Sequence, residues 1–456
     1  MKTFLCVILL ILPAAAVFAQ NPASQNLVTN PPVLAPKRVI PEQKFIDEVI
    51  DELRKGKFAE NTFREIGTTH EGLTFEQLWE IASENNPSIK QKANLLAAAR
   101  GGQIQSGLYP NPTVSWTGDN LGVNGTAGKQ GFAVSQPFVT AGKKQLDRTV
   151  ASYDTVIAGK QYEMEKARVH NDLQIAHAEM LHDQIYYISE TFCHHLGQNL
   201  LRAALELEKQ GKSRPIDVLK FKTSIKESEL ALIITRRNID ASRTKVSSLL
   251  GVDLQPNQMV QGSLSLDGRD TNWASVWETF RHTSPQISVA QSKVAQSRAN
   301  LSRQLAERTP DVSGTFSLAR DIIGEKTVPL ASVSLPLKIY DRNQGNIRKA
   351  QAQIAAAHRD AERIEMGLQN QLAAICRDYD NAKELIVLYE QDVLPDSFQT
   401  LKMVEDAYAK GGISYLELYE QRQSMMNLLL KYVDALRNQK VAAVLMDGAL
   451  LQGSLD

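Results

Sequence analysis

The chain has 456 residues, with 51 Lys plus Arg against 51 Asp plus Glu, so its formal net charge is zero. That balance excludes the basic excess of a nucleic-acid binder or a polybasic membrane-surface protein. With 6% aromatics, 26 Gly and 17 Pro the chain is neither collagen-like nor broadly disordered, and three cysteines supply no disulfide framework. Abundant Ala, Leu, Gln, Glu, Lys and Arg favour long helices.

Residues 1–3 form a short basic start, followed by an apolar run over 4–12 and then Pro13. Val17-Phe18-Ala19 fits a small-x-small cleavage site before Gln20, so residues 1–19 are expected to be a signal peptide and the chain to be exported. The apolar run is too short to span a bilayer, and no later stretch approaches ~18 uninterrupted apolar residues. Cys6 lies in the expected leader and no cysteine follows the cleavage point, so no lipid anchor is expected there. Residues 20–72 form an appendage. Pro22, Pro31, Pro32, Pro36 and Pro41 mark an extended linker. Phe45, Ile46, Val49, Ile50 and Leu53 then predict an amphipathic helix over 42–58, whose apolar face should dock on the body of the protein.

The remainder is one unit written twice. LTFEQLWEIASENNPSI, from Leu73, aligns with TNWASVWETFRHTSPQI so that Trp79 meets Trp277, Glu80 meets Glu278 and Pro87 meets Pro285. Ile89, Arg100, Pro112 and Val114 meet Ile287, Arg298, Pro310 and Val312 without an insertion. SQPFVTAGKKQ then pairs with SLPLKIYDRNQ, and Gly211 with Gly411. Such identity held in register indicates a tandem duplication, with repeats expected over 73–262 and 271–456.

Each repeat opens with helical stretches (74–85 and 87–108 in the first) that end where Tyr109-Pro110-Asn111-Pro112 forbids helix. Two short alternating segments follow, at 113–121 and 131–139 in the first repeat and at 312–322 and 328–338 in the second. Val114 and Trp116 alternate with Thr113, Ser115 and Thr117, and Val333, Leu335 and Leu337 alternate with Ser332, Ser334 and Pro336. One apolar and one small polar face is the pattern of a barrel strand. The Gly- and Asn-rich residues 122–128 read as a hairpin loop.

From Gly142 to Gly211 there is no proline, and a helix of that length would reach about 100 Å if unbroken, with Gly159 and Gly197 as expected bends. A turn at 211–215 leads to a return helix over 216–250, where Val218, Ile225, Leu232, Ile239 and Val246 recur every seven residues as in a coiled coil. The fold expected is therefore mainly α, with four strands per chain. Four strands cannot close a barrel alone, since the smallest single-chain barrels have eight. Open edges cannot face lipid, because each unpaired backbone group there costs several kcal/mol. Either the strands are soluble or several copies share one barrel.

At these residues the chain resembles the TolC-type outer membrane efflux family, from about Leu73 to Leu451. The resemblance rests on LTFEQLWEIASENNPSI, on GLYPNP at 107–112, on SQPFVTAGKK, on LPLKIYDRNQG at 335–345 and on YAKGGISYLELYEQRQSMM at 408–426. It implies a homotrimer whose four strands per chain close a 12-stranded barrel in outer membrane lipid, with the helices continuing as an α-barrel across the periplasm. It implies partners too: a periplasmic adaptor (membrane fusion) protein and an inner-membrane pump such as one of RND type, with no nucleic acid. GLYPNP, NLG at 120–122 and Gly142-Lys143 look nearest the CzcC/CusC-like heavy-metal branch. The appended 20–72 region and the missing lipidated cysteine depart from the pattern of many relatives. On this reading the chain is a passive exit duct for heavy-metal cations or small toxic compounds. The alternatives are a soluble periplasmic coiled-coil interaction protein and the outer-membrane component of a type I secretion system.

No GxSxG, Walker A, CxxC or HExxH occurs, so no catalytic residue, cofactor or metal site is expected. His170, His177 and His182 on one helix, with Cys193-His194-His195 beyond, could hold a metal, but packed or solvated helix positions explain them more simply. Cys193 and Cys376 are expected to be free core residues. Trp79 and Trp277 occupy equivalent positions, which points to packing, while Trp116 is expected as an interfacial aromatic near the barrel base. Function concentrates at the two helical turns. By the resemblance, Gly211, Ser213, Gly411, Gly412 and Ser414 are adaptor-contact tips. Asp217 and Glu417, three copies of each around an axis, are the candidate periplasmic gate, able to repel one another or to bind cations.

Overall fold

A computed structural model describes residues 68–69, 72–119, 128–211, 214–256, 258–266, 272–322 and 324–455. The expected leader, the 42–58 helix, most of the 122–128 loop and Ser213 lie outside the described residues. After the two-residue strand β1 (Thr68–Thr69) come α1 (Phe75–Asn85), α2 (Pro87–Gly107), β2 (Thr113–Asp119), β3 (Lys129–Phe138), α3 (Lys143–Lys209) and α4 (Pro215–Leu250). The second series follows the short β4 (Gly262–Ser263): α5 (Trp273–Thr283), α6 (Pro285–Ala306), β5 (Val312–Asp321), β6 (Lys326–Ser334), α7 (Gln344–Leu388), α8 (Leu394–Ala409) and α9 (Tyr415–Asp447). The duplication is visible in the elements: α1 and α5 both have 11 residues, and α2 and α6 have 21 and 22.

Local chemistry accounts for the boundaries. Thr74 caps α1 with a reciprocal capping box to Gln77. Prolines 87, 215 and 285 start their helices, where the missing N–H costs nothing. The second repeat departs from the first at a π-helical turn, Tyr389–Val393, placed directly before Pro395. Proline lacks a donor and crowds the carbonyl four residues earlier, so the helix widens there. α3 is one continuous helix through Gly159 and Gly197. Gly197 serves a packing purpose. A Cβ there would lie 3.1 Å from Ile225 Cγ1 and 3.7 Å from the Tyr419 hydroxyl, so the glycine lets α3 approach α4 and α9 closely.

The described residues fall into two compact units. One comprises those up to Asn86 with Arg168–Trp273 and Leu372–Asp456; the other comprises Pro87–Ala167 and Ala274–Gln371. The first unit is helical and packs Leu78, Leu173, Leu181, Leu249, Val260 and Leu436 into a dry core. The seven-residue series of α4 faces inward, with Val218, Ile225, Ile239 and Val246 all buried. The buried Gln184 amide is satisfied: it both donates to the Val260 carbonyl and accepts from its N–H. Thr68 and Thr69 pair with Ser263 and Gly262, which ties the chain before α1 to this unit.

The second unit holds a four-stranded antiparallel sheet in the order β2-β3-β5-β6. β3 and β5 are central, joining the two repeats, and β2 and β6 are the edges. Gly131 is required at that join, because a Cβ there would collide with the Leu318 carbonyl.

Candidate functional site

Pairing register assigns every strand side chain to a face. Trp116, Phe132, Leu318 and Pro329 form one row across the sheet, and Val114, Val134, Phe316 and Ala331 the next on the same face. The opposite face carries the rows Ser115, Ala133, Ser317, Leu330 and Thr113, Ser135, Thr315, Ser332. The large side chains are on the surface: Val114 is 71% exposed, Phe132 67% and Val333 78%. A soluble sheet hides its apolar face against another layer. This one presents it outward, which is the surface expected of a protein dissolved in lipid. Trp116 is the fourth of the seven residues of β2.

The sheet is fixed to the helix that follows it by a polar joint. Lys143, 1% exposed, lies 2.9 Å from Asp311 and 3.6 Å from Glu307. Asp311 also accepts from the Thr140 backbone N–H at 2.9 Å, and the Thr140 hydroxyl donates to the Pro310 carbonyl at 2.6 Å. Glu307 further accepts from Arg303 at 2.7 Å and Lys338 at 3.3 Å.

In the helical unit the two turns are built alike. Gly211 and Gly411 adopt φ of +68° and +72°, the left-handed conformation that ends a helix without a Cβ penalty. Gly412 does not adopt a positive φ; its N–H bonds to the Ala407 carbonyl at 2.9 Å. Ser414 is the N-cap of α9, accepting from the Glu417 N–H at 3.2 Å. The turns are joined to each other through aromatic packing: Phe221 of α4 lies 5.6 Å from Tyr419 of α9, ring to ring, and Ser224 and Tyr419 share a 2.7 Å hydrogen bond. Arg422 and Glu405, both largely buried, close the α8–α9 hairpin with a 2.9 Å ion pair.

The two candidate gate acids differ. Asp217 is gripped by Arg214 through Nε at 3.0 Å and Nη2 at 3.1 Å, a bidentate pair that raises the guanidinium pKa through that hydrogen bond. Glu417 is exposed on the first turn of α9. Equivalence in the duplication therefore does not make them electrostatically equivalent.

The histidines have separate occupations. His170 packs edge-on against Trp79 at 4.7 Å and Phe75 at 5.1 Å, and burial lowers its pKa. The buried His177 is hydrogen-bonded through Nε2 to the Gln261 carbonyl at 3.0 Å, and burial lowers its pKa as well. His182 bridges Asp434 at 2.7 Å and Asp183 at 3.3 Å. Burial opposes its charge, but the two carboxylates outweigh burial and hold its pKa above the usual value. His194 pairs with Ser228 at 2.9 Å. Among the described residues no three His, Cys, Asp or Glu converge as a metal site. Cys376 is buried and free, and Cys193 is free with its thiol pushed up to about 12 by burial. Trp277 stacks on Phe280, so the equivalent tryptophans both pack, though on different partners.

Residues 278–450 match the family described as outer membrane efflux protein. Over 385 residues the chain is 20% identical to the cobalt-zinc-cadmium resistance protein CzcC of Cupriavidus metallidurans, covering 83% of this chain and 90% of that one. The fold is similar to that of CusC, with a TM-score of 0.68 at 15% identity, over 83% of this chain and 92% of CusC. It is equally similar to the outer membrane protein VceC from Vibrio cholerae, with a TM-score of 0.68 at 15% identity, over 83% of this chain and 96% of VceC. The TolC-type resemblance and the mainly helical fold with a four-stranded sheet read from the sequence are both met.

Proposed function

We propose that the chain is one subunit of an outer-membrane efflux duct. The observation that carries this reading is the four-stranded sheet, with Val114, Trp116, Phe132, Phe316 and Leu318 exposed on one face, mostly small or polar residues apart from Val328 and Leu330 on the other, and an unpaired edge on each side. Lipid tolerates the apolar face but not the open edges, and three copies closing a 12-stranded barrel satisfy both. No helix among the described residues is long and apolar enough to cross a membrane. On this reading the sheet is the element that spans. The helical units extend into the periplasm, and their tips at Gly211, Gly411, Gly412 and Ser414 receive an adaptor fed by an inner-membrane pump. Transport through the duct is passive. The similarity to a cobalt-zinc-cadmium resistance protein supports divalent heavy-metal cations as the exported class.

Cell fractionation and mass measurement in detergent test the reading. The expected result is an outer-membrane protein of three copies. Recovery as a monomer in the soluble periplasmic fraction would favour a coiled-coil interaction protein instead. A deletion strain sensitised to cobalt, zinc and cadmium, and restored by the gene, would support the substrate class.

A further inference from the structure

We propose that residues 335–337 prolong edge strand β6 and form the seam with β2 of a second copy, in a register staggered by four residues. This rests on the shared-barrel reading and adds to it the residues that meet.

The outward apolar stripe of β6 does not stop at Ser334, the last residue paired with β5. Leu335 and Leu337 continue its alternation and are 48% and 75% exposed. The extended run ends only after Leu337, where the Ile339 N–H donates to the Leu337 carbonyl at 3.0 Å and Lys338 is anchored to the Glu307 carbonyl at 2.7 Å. At the other edge β2 begins at Thr113, immediately after Pro110-Asn111-Pro112. Two prolines flanking Asn111 end β2 at Thr113, whereas the single Pro336 of the β6 extension falls at the terminal pair of the seam, where a missing donor is tolerated.

The strand ends on this side are uneven. Thr113 is the end of β2, and its row contains Ser135, Thr315 and Ser332. β3 and β5 run three residues beyond that row, to Phe138 and Val312, while β6 reaches Ser334 and its stripe reaches Leu337. Barrel closure itself demands a drift along the strands. Strands about 4.8 Å apart and tilted about 35–45° must shift about 13–19 Å along the strand over four spacings to return to one height, which is roughly 4–6 residues. An odd shift would put apolar side chains on the polar face, so roughly four or six remains. Six would set Thr113 of the second copy against Lys338, where the chain has already turned toward Glu307. A stagger of four sets it against Pro336. In that register Val114 meets Leu335 and Trp116 meets Val333 on the apolar face, and Ser115 meets Ser334 on the other.

Disulfide trapping in the full-length protein, with Cys193→Ala and Cys376→Ala, tests the seam. Oxidised outer membranes carrying Ser115→Cys with Ser334→Cys should give covalent dimers and trimers on a non-reducing denaturing gel. Ser115→Cys with Leu330→Cys, the unstaggered pair, should not. Within one chain these positions are separated by two strands, too far to bridge, so any bond formed is between copies. Linkage by the 330 pair in place of the 334 pair would overturn the register, as would linkage by neither pair in a protein whose mass is that of three copies. A monomeric mass would overturn the shared barrel itself.

Discussion

Lys143 and Asp311 stand 168 residues apart in the chain, yet their side chains meet at 2.9 Å where the long helix α3 leaves the sheet and β5 enters it. The lysine is almost wholly buried and the aspartate is 39% exposed. Replacing the lysine with an apolar residue strands a carboxylate that also organises Thr140. Lys143→Met is therefore expected to cost about 1–3 kcal/mol. Urea or thermal dissociation of the detergent-solubilised protein reads that loss, and Asp311→Asn should cost less, since it retains an acceptor for the Thr140 N–H.

The turn glycines give a contrast between neighbours. Gly411→Val places a β-branched residue at φ +72° and should destabilise the hairpin by about 1–2 kcal/mol. Gly412→Val meets only the Ala407 carbonyl, at 3.4 Å, and should be milder. Limited proteolysis at the tip and co-purification with the adaptor measure both, while the barrel should stay in the membrane.

Neutralising Asp217 and Glu417 together should alter single-channel conductance or cation block in planar bilayers with the trimer intact. Because Arg214 already grips Asp217, Glu417→Ala alone should produce most of the effect. Unchanged conductance and block in the double variant would remove both residues from the gate.

Stability should also depend on pH through His182. Its folded pKa is raised, after the cost of burial, by Asp183 and Asp434, so its contribution is complete below the usual histidine range and is lost as pH rises through the folded value. Asp434 is the converse. Its carboxyl is lowered, against burial, by His182 and Tyr186, so that contribution is present above the usual carboxylate range and is lost as pH falls through the folded value. The clamp is strongest between the two. His170 and His177, with lowered values, push the other way, so the limb due to His182 is the stability difference, read from urea midpoints, between the protein and His182→Gln, which should shrink from mildly acidic to mildly alkaline pH. A limb equally steep in the variant would assign it elsewhere.

Much of this was legible in the residues. Alternation at Val114 and Trp116 and at Val333 and Leu335 marked the strands, and the seven-residue series from Val218 marked the buried face of α4. A helical glycine signals a bend and a close approach alike, and it is the position of Ile225 that reveals the approach at Gly197. Pro395 carried a local signal for the π-helical turn that a comparison of repeats alone passes over. The Lys143 joint left no trace at all, since nothing near either residue points to a partner so distant in the chain. Asp217 and Glu417 looked interchangeable by alignment, and Arg214 makes them different.

The most direct measurement is the environment of adjacent strand positions in reconstituted vesicles. Spin labels at Val114→Cys, Phe316→Cys and Val333→Cys should collide with lipid-soluble oxygen, and labels at Ser115→Cys, Thr315→Cys and Ser332→Cys with a water-soluble nickel complex. That alternation on all three strands is what a shared barrel predicts. If both sets report the same aqueous environment, the sheet does not lie in lipid and the duct account is wrong.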